Sequence, residues 1–227
     1  MKRNNAVKRK HYFLLFAALV AVLIILDQWL KIWIKTNMAL HEAIPVFGEW
    51  FQLQFVENPG MAFGFSFGGG IGKMILSLFR LIISGFLIYY VFILIKKEKI
   101  DALMLSIFSL IIAGALGNII DSCFYGLVFD SGTTFNAEAG RYDYYSGVSR
   151  FSSSGYAPFL HGCVVDMFCF KLFYIPKWVP FWGGYHFFPA IFNIADSCVT
   201  VGLAGILIFN KRIFTEKKQE ELQDEHS

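Results

Sequence analysis

Four aspartates in this chain lie in apolar runs, where a carboxylate is out of place: Asp27 in IILDQWLK, Asp121 in LGNIID, Asp166 in CVVDMF and Asp196 in FNIAD. A charged side chain in hydrocarbon costs several kcal/mol on most scales, so it usually faces a protein interior or a site. Two carboxyl groups held close together do not both ionise cheaply and share a proton. One then acts as base toward a water, while the other, protonated, polarises a scissile carbonyl. A low-dielectric surround strengthens both interactions. The chemistry such residues can do is peptide hydrolysis.

Other chemistries are poorly supported. No H-E-x-x-H occurs, and His11, His41, His161, His186 and His226 are scattered, which argues against a zinc protease. Gly64-Phe65-Ser66-Phe67-Gly68 fits G-x-S-x-G. That motif needs a strand before it, a helix directly after it and a paired His; here it sits in a glycine-rich loop. Gly114 and Gly117 lack a following G-K-[ST] and read as close helix-packing positions. Cys123, Cys163, Cys169 and Cys198 form no C-x-x-C pair and read as small apolar residues. A Cys123–Cys163 disulfide outside the cytoplasm is permitted but not required.

The elements that must position these residues follow from composition. The chain of 227 residues is 56% hydrophobic and 16% charged, against about half and about a quarter in soluble domains. That excess points to a membrane, and the length to one membrane domain over 1–227. About 20 apolar residues cross a bilayer as a helix. Four stretches qualify: 12–34, 74–95, 102–120 and 187–209. The first is too long for a cleaved signal peptide, lacks a cleavage site and reads as a retained anchor. MKRNNAVKRK, the 96–101 link with KKEK, and the tail NKRIFTEKK are all basic. The predicted architecture is an all-α polytopic protein of four spans with both termini cytoplasmic. Segments 36–73 and 121–186 then lie outside. Alternation in EWFQLQFVEN predicts short strands within 45–70, a small β-rich platform. The stretch 131–161 reads as an inserted outer loop, and the Trp- and Tyr-rich 173–188 as interfacial.

This orientation brings Asp27, Asn58, Asn118, Asp121, Asp166, Asn193 and Asp196 to one level, the outer leaflet. Asp27 and Lys31 are four apart on one helix face and can pair. Depth alone does not choose the catalytic pair. A channel or transporter using the aspartates as an ion path is the rival reading, weakened by the lack of an internal repeat.

Five segments in order resemble the bacterial lipoprotein signal peptidases (signal peptidase II): DQWLK at 27–31, ENPGMAFG at 57–64, GALGNIID at 114–121, GCVVDMF at 162–168 and FNIADSCVTVG at 192–202. The resemblance implies an aspartic endopeptidase of the bacterial cytoplasmic (inner) membrane. Its catalytic residues would be Asp166 and Asp196. Asn58, Gly60, Asn118, Asp121 and Asn193 would position substrate and aspartates. Asp27 and Lys31 would be a structural polar pair. The implied substrates are prolipoproteins carrying a diacylglyceryl group, cut before the modified cysteine. The enzyme would act as a monomer among membrane lipid, without metal, organic cofactor or nucleic acid. Two departures stand out. Ser122 replaces the family's usual Arg, so the contact that Arg makes is either absent or supplied elsewhere, with Arg141 and Arg150 as candidates. And Gly126-Leu127-Val128-Phe129-Asp130 also fits G-x-V-x-D, so Asp130 competes with Asp166.

Overall fold

The computed structural model describes residues 2–60, 69–181, 183–184, 186–188 and 190–210. The G-x-S-x-G segment, the end of ENPGMAFG and the basic tail from Lys211 onward lie outside the described residues. Helix α1 (Lys2–Asn37) is followed by strands β1 (Ala43–Phe47) and β2 (Phe51–Asn58), then helix α2 (Gly69–Lys96). Helix α3 (Ala102–Ile120) runs through a π-helical turn (Asp121–Tyr125) into a single short turn, α4 (Gly126–Val128). Strands β3 (Thr134–Asn136), β4 (Arg141–Asp143), β5 (Val164–Phe170) and β6 (Ile191–Phe192) precede helix α5 (Ile194–Ile208).

Among the described residues three helical stretches are long and apolar enough to cross a membrane: Asn5–Asn37, Gly72–Lys96 and Ala102–Val128. They contain the first three expected spans and exceed each in length. Along α2, Ile75, Phe79, Ile82 and Phe86 are exposed at spacings of three and four, an apolar stripe suited to hydrocarbon rather than water. The fourth expected span, 187–209, is not helical throughout. Ile191 and Phe192 instead pair with Cys169 and Phe168, and Phe192 packs its ring on Phe168 and Phe170. Sheet pairing wins there, and the helix begins only at Ile194. Its 15 residues reach roughly 22 Å at about 1.5 Å per residue, short of a bilayer core of about 30 Å.

The chain forms two compact units. One comprises residues 1–26, 80–117 and 194–227. Its core is Phe16, Val91, Ile95, Leu105, Ile111 and Ile112 with their neighbours. Glycines set its closest approach. A Cβ added at Gly114 would stand 2.2 Å from the carbonyl oxygen of Ala195, and one at Gly202 would stand 2.4 Å from Ile111 Cγ1.

The other unit comprises residues 27–79 and 118–193. It holds an antiparallel sheet in the order β1-β2-β5-β6. The expected strands within 45–70 are β1 and β2. The sequence reading contained no strand at Val164–Phe170, yet β5 is central and pairs Val56 with Asp166 and Asn58 with Val164. The stretch 131–161, expected as a loop, carries the β3–β4 hairpin with Thr134 opposite Asp143. Phe129, Tyr145 and Tyr156 at its margins pack with Ile34, Met38, Phe55 and Met167. The four cysteines are buried free thiols, so the permitted Cys123–Cys163 disulfide is not formed.

Gly114→Ala should cost about 1–3 kcal/mol, because even one methyl group meets backbone. Thermal unfolding in detergent should show the lowered midpoint, whereas Gly85→Ala, where nothing lies within 4 Å of the added Cβ, should leave it in place.

Candidate active site

The site is built around one cation. Lys31 sits on α1 one turn after Asp27 and is fully buried. Its ammonium reaches Asp27 Oδ2 at 2.9 Å and Asp121 Oδ2 at 2.8 Å, and donates to Asn118 Oδ1 at 2.8 Å. An ammonium has three donors, and all three are used. The helical spacings explain the meeting: 27 and 31 share a face of α1, and 118 and 121 share a face where α3 enters the π-helical turn. Asp121 also accepts from Gln28 Nε2 at 2.8 Å and from the backbone N–H of Val165 at 3.3 Å. Tyr125 donates its hydroxyl to Gln28 Oε1 at 3.2 Å. The wide turn thus presents Asp121 and Tyr125 to the same partner.

From Asn118 the network passes to β5. Asn193, fully buried just before α5, donates Nδ2 to Asn118 Oδ1 at 3.1 Å, to Val165 O at 3.3 Å and to Asp166 Oδ1 at 2.7 Å. Asp166 is itself buried on the central strand. Asp196 stands in the first turn of α5, three residues after Asn193, and is half-buried. At the end of β2, Asn58 Oδ1 accepts the N–H of Gly60 at 3.0 Å. Gly60 has a φ of +98°, a region that a residue without Cβ enters freely.

Of the sequence candidates, Asp27, Lys31, Asn118, Asp121, Asn193 and Asp166 are thus joined by direct contacts. Asp130 is not joined to them. It is exposed and accepts from Arg150 N–H at 2.9 Å, Ser131 at 2.7 Å and Ser149 at 3.2 Å. The Arg150 amide, then the Ser131 hydroxyl, hold its carboxyl below the usual carboxylate range. Ser122 donates to Asn118 O at 3.0 Å and makes no ion pair. Of the two suggested arginines, Arg141 is exposed and pairs with Asp143 at 3.5 Å, and Arg150 is exposed. Among the described residues no three His, Cys, Asp or Glu side chains gather as a metal would require.

A second buried ion pair was missed by the sequence reading. Lys35 meets Glu57 with both side chains fully buried. Phe129, Tyr145 and Tyr156 surround the ammonium at 5.1–5.2 Å, near enough for cation–π attraction. Glu57 also accepts the N–H of Thr133 at 2.6 Å. The signal was present: Lys35 lies one turn beyond Lys31 on the same helix face, and Glu57 opens ENPG.

Comparison with known proteins bears on this arrangement. The family model for signal peptidase (SPase) II matches residues 19–211. A lipoprotein signal peptidase of Porphyromonas gingivalis is 46% identical over 196 residues, covering 85% of this chain and 80% of that one. One from Amoebophilus asiaticus is 34% identical over 203 residues, covering 87% and 77%. A bacterial membrane enzyme solved by the in meso method at 1.9 Å resolution is 26% identical with a TM-score of 0.53, covering 85% of this chain and 90% of that one. A second, at 2.3 Å resolution, is 24% identical with a TM-score of 0.55, covers 89% and 90%, and shares the fold. Apolar helices and these matches define a bacterial membrane peptidase of the aspartic class. The chain belongs to the signal peptidase II family.

Lys31→Met would leave two buried carboxylates without a cation, a loss of about 3–5 kcal/mol. Thermal unfolding in detergent should show a large drop, and adding Asp121→Asn to that variant should recover part of it.

Proposed function

We propose that Asp166 and Asp196 are the catalytic pair of an endopeptidase that cuts diacylglyceryl-modified prolipoproteins just before the modified cysteine. Signal-peptide removal from prolipoproteins is the activity of the family to which the chain belongs. The observation that carries the assignment is Asn193. Its amide holds Asp166 at 2.7 Å, and Asp196 follows it three positions along the chain. That connection keeps the two Cα atoms, 193 and 196, within roughly 11 Å at the ~3.6 Å maximum reach per residue.

In this reading Asp166, fixed by an N–H donor, takes the proton from the attacking water. Asp196 carries the shared proton and polarises the scissile carbonyl. As the tetrahedral intermediate collapses, the C–N bond breaks and a proton passes to the leaving amine of the modified cysteine. Asn58 and Gly60, at the end of the strand beside β5, position the substrate backbone. Asn118 and Asp121 hold Asn193 and the β5 backbone in register. Asp27 and Lys31 act as the structural pair on which that register rests.

The basic 1–10 and 96–101 segments and the basic tail support four crossings in the inner membrane, with both termini cytoplasmic and the site near the outer leaflet. The stretch 187–209, which contains α5, then supplies the fourth crossing. Acyl chains of the substrate stay in hydrocarbon at that depth, among membrane lipid, and a monomer suffices.

A gel-shift assay with a diacylated prolipoprotein tests the assignment. Asp166→Asn and Asp196→Asn should each abolish the mobility shift, by about 10³-fold or more in rate, while the protein stays inserted. Asp130→Asn should cleave normally. Full activity in Asp166→Asn together with loss in Asp130→Asn would reverse the choice between them.

A further inference from the structure

A cavity of about 190 Å³ opens where the 131–161 stretch meets the start of α2. Lys73, Thr133, Phe135, Tyr142, Tyr156 and His161 line it. Lys73 is buried, yet no carboxylate among the described residues pairs with it. Its ammonium donates to His161 O at 2.7 Å and to Cys163 Sγ at 3.2 Å. Burial pushes the Cys163 thiol up to about 11, with Lys73 opposing that rise, so at neutral pH the sulfur is not a counter-ion. The neighbouring stretch 61–68 has no acidic residue. Among the described residues one ammonium donor is therefore unspent, and no carboxylate balances the charge where burial makes that costly.

Two more donors face the same demand. The Thr133 hydroxyl is buried and has no hydrogen-bond partner among the described residues. Tyr156 Oη accepts the Cys163 N–H at 2.8 Å, which leaves its own proton to give. One cation and two hydroxyl donors match a carboxylate in charge and valence. A phosphate monoester would bring a second negative charge among aromatic walls.

Position supplies the source. Cys163 lies three residues before Asp166, roughly 10 Å along an extended chain at about 3.3 Å per residue. A Cβ on Gly60 would stand 3.5 Å from Lys73 Cγ, so the cavity adjoins the turn assigned above to substrate positioning. We infer that this cavity is a specificity subsite that takes an acidic side chain from the mature part of the prolipoprotein, two to four residues after the modified cysteine. The inference rests on the peptidase reading and adds a substrate class to it.

The test compares full-length enzyme on two diacylated prolipoproteins that differ only in carrying Asp or Asn at those positions. The wild type should cleave the acidic substrate about tenfold better in kcat/KM, the yield of one hydrogen-bonded charge. Lys73→Gln and, independently of any folding defect in it, Thr133→Val should bring the acidic-to-neutral ratio toward one. Equal cleavage by the wild type, or a ratio unchanged in both variants, overturns the subsite and leaves the peptidase reading standing. Cleavage of neither substrate overturns both. Assays in phosphatidylcholine vesicles with and without phosphatidylglycerol add a further arm. A rate that follows anionic lipid through Lys73, whatever the substrate charge, marks a headgroup site and overturns the subsite.

Discussion

A lysine ammonium sealed from water dictates much of how this unit is assembled. Withdrawing Lys31 from solvent costs several kcal/mol, and that cost is offset only if each N–H finds an oxygen in good geometry. The oxygens come from two parts of the chain, Asp27 one turn away and Asn118 and Asp121 at the end of α3. Moving either part by an ångström would strand a charge. The geometry passes outward from there. Asn118 receives Lys31 and Asn193 on the same oxygen, and Asn193 grips Asp166. Asp121 meanwhile accepts the N–H of Val165, fixing the same strand from its backbone. Asp166 is thereby held from its side chain and from the backbone of its own strand.

One turn further along α1 the arrangement repeats with different partners. Lys35 is matched by Glu57 at the end of β2 and enclosed by three aromatic rings from around the insert. The two lysines divide the work: Lys31 registers the end of α3, and Lys35 registers β2 and the insert. Both pairs rest on the 3.6-residue period, which returns positions 27, 31 and 35 to one face.

That period is why this part was legible in the sequence. Asp27 with Lys31, and Asn118 with Asp121, are spaced so that any helix must align them. The β1–β2 pair was legible from alternation in EWFQLQFVEN. Strand β5 was not, because VVDMFCF is apolar on both faces and lacks the period of two. The start of α5 failed for a related reason. Ile191 and Phe192 are as apolar as the helix that follows, and only their pairing with β5 shows that they belong to the sheet. The tie between Asn193 and Asp166 spans 27 positions and no local rule reports it; a resemblance to relatives did. The aromatic enclosure of Lys35 was hidden because its rings lie in the Ser-, Gly- and Tyr-rich stretch, whose composition reads as loop.

The π-helical turn and the insert share one further property. The backbone N–H of Gly162 donates to Ser122 O at 2.9 Å, and a Cβ on Gly162 would stand 2.1 Å from Asp121 O. The chain leaves the turn, makes an excursion of some forty positions and comes back to within one hydrogen bond of its departure. Loop closure grows only logarithmically more costly with length. An excursion with joined ends can lengthen, shorten or be exchanged while the strand that follows re-enters at the same place. The insert can therefore change in length while β5 keeps its point of re-entry beside the turn.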